Sequence, residues 1–207
     1  AHALLVACAR QQPAVLGLAG PSANRFGRVS PTTAAHVAQE FGDELLVLDG
    51  GACEVGIESA IVDCTRGAPV LLRPGVLTRE RIEQAAGEPL HLPGEMAAPD
   101  PRASGTLEAH YAPNAKVRLM DARSLRTALD LLAEDAGTIA VYARTPVRNR
   151  ACRLRRMPDD AAETARQLFA VLREFDEAGV RLIWVEAPPD DPEWDGVRDR
   201  LRRAAAA

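Results

Sequence analysis

Short apolar runs, separated by turns rich in Gly, Pro and Ser, alternate with helix-like segments in the first half of the chain. Four of these runs predict short strands, at residues 14–19, 44–51, 56–65 and 69–75. Three helices are predicted from capping and stop residues, over residues 3–10, from Thr32 or Thr33 to Phe41, and from Thr78 to about Gly87. The first half is therefore expected to be β-rich with interspersed helices.

Strands and amphipathic helices alternate in the second half. Strands are predicted at residues 116–120, 138–143 and 180–187, and helices at 122–135, 159–178 and in an arginine-rich closing segment. Leu125, Leu129 and Leu132 recur at helical spacing in the first of these helices. Alternating strands and helices favour a small parallel-sheet α/β domain with right-handed crossovers.

A proline-rich stretch separates the two halves. Residues 88–113 contain five prolines and no strong periodicity, which is typical of a linker or a functional loop. The predicted division is therefore residues 1–87, a linker or lid at 88–113, and a second domain at 114–207.

Composition narrows the class of protein. Of 207 residues, 47% are hydrophobic and 26% charged, which favours a globular chain over a disordered one. The net charge of −4 argues against a basic nucleic-acid scaffold. No apolar run reaches the roughly 18–20 residues of a membrane span, and the four cysteines form no C-x-x-C pair. We therefore expect a cytoplasmic protein with reduced thiols and no membrane contact.

The segment PSANRFGRVSPTT (21–33) is the first candidate site. Its hydroxyls, its Asn24 amide and its two arginines suit phosphate oxygens, and a helix N-terminus follows it. The segment is neither a Walker A loop nor a GxGxxG loop. From the residues alone, a nucleotide-binding loop and an ordinary capped loop both remain open.

Three further segments carry candidate chemistry. Ser59 precedes the predicted strand IVD and can face a pocket, whereas Asp49 and Asp63 could either ligate a metal through oxygen or cap turns. Arg73, in LLRPG, could clamp phosphates or form a surface ion pair. Tyr111, in HYAP, could stack on adenine or pack in the core.

Two arginine-rich runs are better explained as solvated surfaces than as RNA sites. RNRACRLRR (148–156) has no interleaved aromatic residues. The terminal DRLRRAAAA is predicted to be a solvated helix end. Trp184 and Trp194 are predicted to be core residues.

Taken in order, PSANRFGRVSPTT, LDGG…GIESAIVD, PVLLRPGVLTRERI and HYAP closely resemble the threonylcarbamoyl-AMP synthases. The resemblance covers essentially the whole chain. It implies a mixed α/β fold: the C-terminal portion of a YrdC-like α+β twisted-sheet domain, followed by a small Rossmann-like parallel-sheet α/β domain.

The resemblance also implies a reaction and its partners. ATP, L-threonine and bicarbonate would give threonylcarbamoyl-AMP and pyrophosphate, for tRNA threonylcarbamoyladenosine modification by a downstream transferase complex, with at most weak tRNA contact. Carried over residue by residue, threonine would be bound by Ser22 and Ser59, and ATP by Asn24, Thr32, Arg73 and Tyr111. Mg²⁺ held mainly by the phosphates is expected. No catalytic or metal-binding residue is assigned.

One departure concerns the sequence before the first motif. The family carries a long stretch there, with a basic Lys/Arg motif, whereas about twenty residues precede PSAN here. We therefore expect an incomplete, weakly active or inactive fragment of the synthase. The alternative is a non-catalytic nucleotide- or RNA-binding module of the same fold, since a fold does not fix a function.

Overall fold

The computed structural model describes residues 1–65, 67–95, 107–132, 137–147 and 152–207. The α-helices are α1 (His2–Ala9), α2 (Ala34–Phe41), α3 (Arg79–Ala86), α4 (Ala122–Leu132), α5 (Ala161–Glu177) and α6 (Asp195–Ala205). The strands are β1 (Ile61–Asp63), β2 (Val70–Arg73), β3 (Lys116–Met120), β4 (Ile139–Ala143), β5 (Arg153–Arg156) and β6 (Leu182–Glu186). Single 3₁₀ turns lie at Gly42–Glu44, Pro93–Glu95 and Pro192–Trp194.

Four parallel strands form the sheet of the second half, in the order β3-β6-β4-β5. Helix α4 joins β3 to β4 and helix α5 joins β5 to β6, so the mixed α/β class is confirmed. Strand β5 was not predicted. Its residues are exposed because it is an edge strand, and edge strands commonly carry charged side chains that discourage further pairing. The surface prediction for the basic run is therefore confirmed for Arg153–Arg156, but the strand was missed, and residues 148–151 lie outside the described residues.

Helices cover both faces of this sheet. One face packs on α5 and α6 through a cluster that includes Val117, Tyr142, Phe169, Ile183 and Leu201. The other face packs on α4 through a cluster that includes Leu125, Leu129, Val141, Ala143 and Trp184. Burial of each large apolar side chain stabilises the fold by roughly 1.5–3 kcal/mol. Trp184 and Trp194 are both buried, which confirms their assignment to the core.

A short antiparallel pair, β1 with β2, forms the regular sheet of the first half, with Val62 opposite Leu71. The caps of the neighbouring helices are as predicted. The Thr33 hydroxyl accepts from the His36 amide at 3.2 Å, and the Thr78 hydroxyl accepts from the Arg81 amide at 3.4 Å. These caps fix where α2 and α3 begin, each next to a candidate site segment.

The strand predictions at 14–19 and 44–51 are wrong, because the structure has no strand in either segment. Leu16 is 87% exposed and Leu46 is 88% exposed. A strand needs a neighbour to complete its hydrogen-bond ladder, and none of the described strands is paired with either segment.

The prediction of a solvated helix end at residues 199–207 is wrong for one face of α6, although Arg202 is exposed. Arg200 is only 1% exposed and Leu201 is fully buried. Helix α6 packs between β3 and the first half of the chain, because its apolar residues and Arg200 share one face. None of the described helices is long and apolar enough to cross a bilayer.

Candidate functional site

The loop 21–33 folds back on itself through Asn24. Its Nδ2 donates to the carbonyls of Arg25 and Arg28, at 3.0 and 3.1 Å. Its Oδ1 is buried without a hydrogen-bond partner among the described residues. Ser22, at the start of the loop, is exposed. The amide of Ala112 donates to the Gly27 carbonyl at 2.8 Å, so the loop lies against the residue that follows Tyr111.

Thr32, near the other end of the loop, is buried. Its amide donates to Nδ1 of His36 at 3.1 Å, and its carbonyl accepts from the Cys53 amide at 2.9 Å. Burial, and then the charge of Arg173, lower the pKa of His36. A neutral ring is consistent with Nδ1 acting as an acceptor, so this histidine holds the Thr32 backbone.

Three of the predicted site residues, Ser59, Arg73 and Tyr111, are in direct contact. Nε and Nη2 of Arg73 donate to the Ser59 carbonyl at 3.1 and 3.0 Å. Nη1 of Arg73 donates to the Tyr111 hydroxyl at 3.3 Å. Arg73 is buried at the end of β2, whereas Ser59 is exposed. The surface-ion-pair interpretation of Arg73 is therefore wrong, because its forked donors are turned inward.

Tyr111 joins the site to the core. Its ring is fully buried and stacks on Phe169 with 5.3 Å between the ring centroids. Its backbone has a φ of +61°, a left-handed conformation that is uncommon for a bulky residue. Burial raises the pKa of Tyr111. The core interpretation of its ring is confirmed, and its role toward ATP stays a prediction.

The partly buried carboxylate of Glu58 links the Ser59 segment both to the loop 21–33 and to helix α6. The Ser30 hydroxyl donates to Oε1 of Glu58 at 2.6 Å, and Nε of Arg200 donates to Oε2 at 3.0 Å. Burial opposes ionisation of Glu58, but the Ser30 hydrogen bond and the Arg200 charge together lower its pKa below the ordinary value. Arg200 was not among the site residues predicted from the sequence. One signal was present: Arg200 lies three residues after Val197 and four before Ala204, on their buried helix face.

The predicted site residues therefore fall into two groups, which hydrogen bonds join. Ser59, Arg73 and Tyr111 form the contacting group, while Ser22, Asn24 and Thr32 are on the loop. The loop is tied to the contacting group by the Ser30–Glu58 and Gly27–Ala112 hydrogen bonds. Together the two groups contain guanidinium, hydroxyl and amide side chains, which are the kinds of group that recognise phosphate and carboxylate oxygens.

The two aspartates that were weighed as metal ligands occupy turns. Oδ1 of Asp63 accepts from the amide and hydroxyl of Thr65, at 2.9 and 2.7 Å. Oδ1 of Asp49 accepts from the Gly51 amide at 2.9 Å. Within the described residues, no group of three or more His, Cys, Asp or Glu side chains could hold a metal ion. The turn-cap interpretation of Asp63 is confirmed.

Comparison with known proteins finds two family models, one over each half of the chain. A family model described as "Threonylcarbamoyl-AMP synthase, C-terminal domain" matches residues 77–206, and one described as "Telomere recombination" matches residues 1–75. The chain is 34% identical to the threonylcarbamoyl-AMP synthase of Pyrococcus abyssi over 197 residues, which are 91% of this chain and 57% of that protein. It is 32% identical to that of Bacillus subtilis over 221 residues, which are 99% of this chain and 61% of that protein. The chain thus spans between half and two thirds of these relatives' length.

Solved structures agree with the sequence matches. The crystal structure of P. abyssi Sua5 complexed with L-threonine superimposes with a TM-score of 0.76 at 34% identity, over 89% of this chain and 56% of that chain. A variant of the same protein, with a histidine and the next tyrosine replaced by alanine, gives a TM-score of 0.78 at 31% identity over the same shares. The chain belongs to the threonylcarbamoyl-AMP synthase family.

Proposed function

We propose that this protein makes threonylcarbamoyl-AMP from ATP, L-threonine and bicarbonate and releases pyrophosphate. The observation that carries the proposal is the contact of the buried Arg73 guanidinium with the Ser59 backbone and the Tyr111 hydroxyl. Family membership supports the reaction. The threonine complex of the Pyrococcus relative supports the amino-acid substrate.

The reaction requires positioning and charge stabilisation more than covalent catalysis by the protein. The product is a mixed anhydride, so a carbamate oxygen must meet the α-phosphorus while pyrophosphate leaves. In our proposal Arg73 stabilises charge on the phosphates, and Tyr111 supports Arg73 from the core side. Asn24 and Thr32 hold the nucleotide through the loop.

Threonine is proposed to contact Ser22 and Ser59. Both side chains are exposed, so both hydroxyls are accessible to a ligand. Arg73 holds the Ser59 segment by donating two hydrogen bonds to the backbone carbonyl of Ser59. Orienting the amino acid in this way lowers the entropy cost of bringing three substrates together.

Magnesium is proposed to accompany the nucleotide. Because the described residues contain no cluster of three or more metal-ligating side chains, the ion would be held mainly by phosphate oxygens and water. We propose that the product passes, in the cytoplasm, to a tRNA-modifying transferase complex, and that this chain contacts tRNA weakly at most.

Pyrophosphate release tests the proposal. The longest protein that the gene encodes should release pyrophosphate when ATP, L-threonine and bicarbonate are all present, and omission of any one should stop the release. Arg73→Met should slow the reaction by about a hundredfold or more. The control, Arg202→Met, changes an exposed arginine of α6 and should react like the parent protein.

The same experiment separates the competing function. A non-catalytic nucleotide- or RNA-binding module would bind ATP or tRNA without forming an adenylate, and its tRNA binding would weaken steeply with added salt. Pyrophosphate release that does not depend on threonine would also contradict the proposal.

A further inference from the structure

We infer that Arg200, on helix α6, is a positioning residue for the substrate site. Through this residue the C-terminal half of the chain fixes the segment that carries Ser59 and the turn that follows Arg73. This inference rests on the proposed function and adds to it a specific role for the C-terminal half.

Two contacts of Arg200 are with backbone atoms beside the candidate ligand residues. Its Nη2 donates to the Glu58 carbonyl at 2.8 Å, and its Nη1 donates to the Pro74 carbonyl at 2.7 Å. Glu58 immediately precedes Ser59, and Pro74 immediately follows Arg73. One guanidinium therefore joins both segments through their backbone carbonyl oxygens. The positions of these oxygens do not depend on side-chain rotamers.

The charge of Arg200 is balanced within the same site. Its Nε donates to the Glu58 carboxylate and its Nη1 to the Asp199 carboxylate, each at 3.0 Å. The Glu58 carboxylate also accepts from the Ser30 hydroxyl, which extends the link into the loop 21–33. The guanidinium lies over the Tyr111 ring, 5.4 Å from its centroid. Arg200 thus contacts, directly or through one residue, every segment of the candidate site.

Arg200 is held in place by burial and by the packing of its helix. The residue is 1% exposed, and its helix is anchored in the core cluster by Val197, Leu201 and Ala204. A side chain held on a packed helix positions a site more accurately than one on a loop. The C-terminal half of the chain therefore supports the Ser59 segment and the turn after Arg73 from a packed helix.

A purely structural ion pair would stabilise the fold without acting on the ligand. The two roles differ in how Arg200 and Ser59 couple. If Arg200 acts by placing Ser59, its effect on threonine binding should shrink once the Ser59 hydroxyl is gone. If Arg200 serves stability alone, the two substitutions should have independent effects on binding.

A double-mutant cycle measures this coupling. L-threonine is titrated calorimetrically into the longest protein that the gene encodes, in the presence of ATP and MgCl₂, for the parent protein, Arg200→Lys, Ser59→Ala and the double variant. Lysine keeps the charge but loses the planar fork. Arg200→Lys should weaken threonine binding by about ten- to a hundredfold, but by less than about threefold in the Ser59→Ala background. The control Arg202→Lys, on the same helix, should leave binding unchanged.

Each outcome decides the question. A folded Arg200→Lys variant with parental threonine affinity overturns the inference, as does an equal loss in both backgrounds, while the proposed function survives either result. If the parent chain binds no threonine, the proposed function and this inference are both overturned. Should Arg200→Lys fail to fold, Glu58→Gln replaces it in the cycle. This variant removes the negative charge that faces Arg200, and the same dependence on Ser59 is expected.

Discussion

The two halves of the chain are in close contact at Gly196, near the start of α6. A Cβ placed there would lie 2.5 Å from the Gly75 carbonyl oxygen, 2.9 Å from its carbonyl carbon and 2.8 Å from Cδ1 of Ile57. The first two are backbone atoms, which cannot rotate away as a side chain can. Gly196→Ala should therefore push α6 away from the turn that follows Arg73.

Two opposing free energies set the size of this effect. Overpacking of a well-packed site costs about 1–3 kcal/mol, whereas alanine is favoured over glycine within a helix by about 1 kcal/mol. Because the clash is with backbone, we expect the upper part of the overpacking range. The net loss in the free energy of unfolding is then about 1–2 kcal/mol. For a chain of this size, each kcal/mol lowers the Tm by about 2–4 °C.

Thermal and urea unfolding measure this loss. The matched control is Gly137→Ala, since a Cβ on Gly137 meets nothing within 4 Å, and its stability should change by no more than about 0.5 kcal/mol. A Gly196→Ala variant as stable as the parent chain would refute the close-contact argument. So would equal losses in the two variants.

Three further predictions concern the site and its supports. Arg73→Lys keeps the charge but loses the fork, so calorimetry should show ATP binding weakened by about tenfold. Glu40→Gln weakens the half-buried ion pair with Arg173, 2.6 Å long, and should lower the free energy of unfolding in urea by about 1–3 kcal/mol. The lowered pKa of His36 predicts stability that is complete above the unfolded pKa of about 6.5 and is lost as the pH falls through the lower folded pKa. A plot of Tm against pH should show this loss, and His36→Gln should flatten it. Unchanged ATP affinity, an unchanged urea midpoint or a Tm profile unaffected by His36→Gln would contradict the respective argument.

The regular elements of the second half were predictable because their patterns are local. Helix α5 repeats apolar residues at helical spacing, and β4 is a continuous apolar run, so each shows its burial in its own sequence. The parallel sheet follows from their alternation. Strand β5 could not be found in this way, because its residues Arg153–Arg156 are exposed and carry no apolar alternation.

Long-range pairing explains the remaining failures. The apolar segments 14–19 and 44–51 look like strands, but a strand depends on a neighbour that its own residues do not specify. Arg200 was assigned to a solvated end because its partner Glu58 lies 142 positions earlier. The contacts of Arg73 with Ser59 and Tyr111 were likewise invisible in any single segment. Before the structure was known, these residues could be grouped only through the order of their motifs and the family resemblance that this order carries.

The most direct test of the proposed function is the identity of the product. The longest protein that the gene encodes is incubated with ATP, L-threonine and ¹³C-bicarbonate, and the nucleotides are analysed by mass spectrometry. The proposed function predicts threonylcarbamoyl-AMP with one ¹³C from bicarbonate, formed only when all three substrates are present and nearly abolished by Arg73→Met. Consumption of ATP without threonine, or no labelled adenylate from a folded protein, would contradict it.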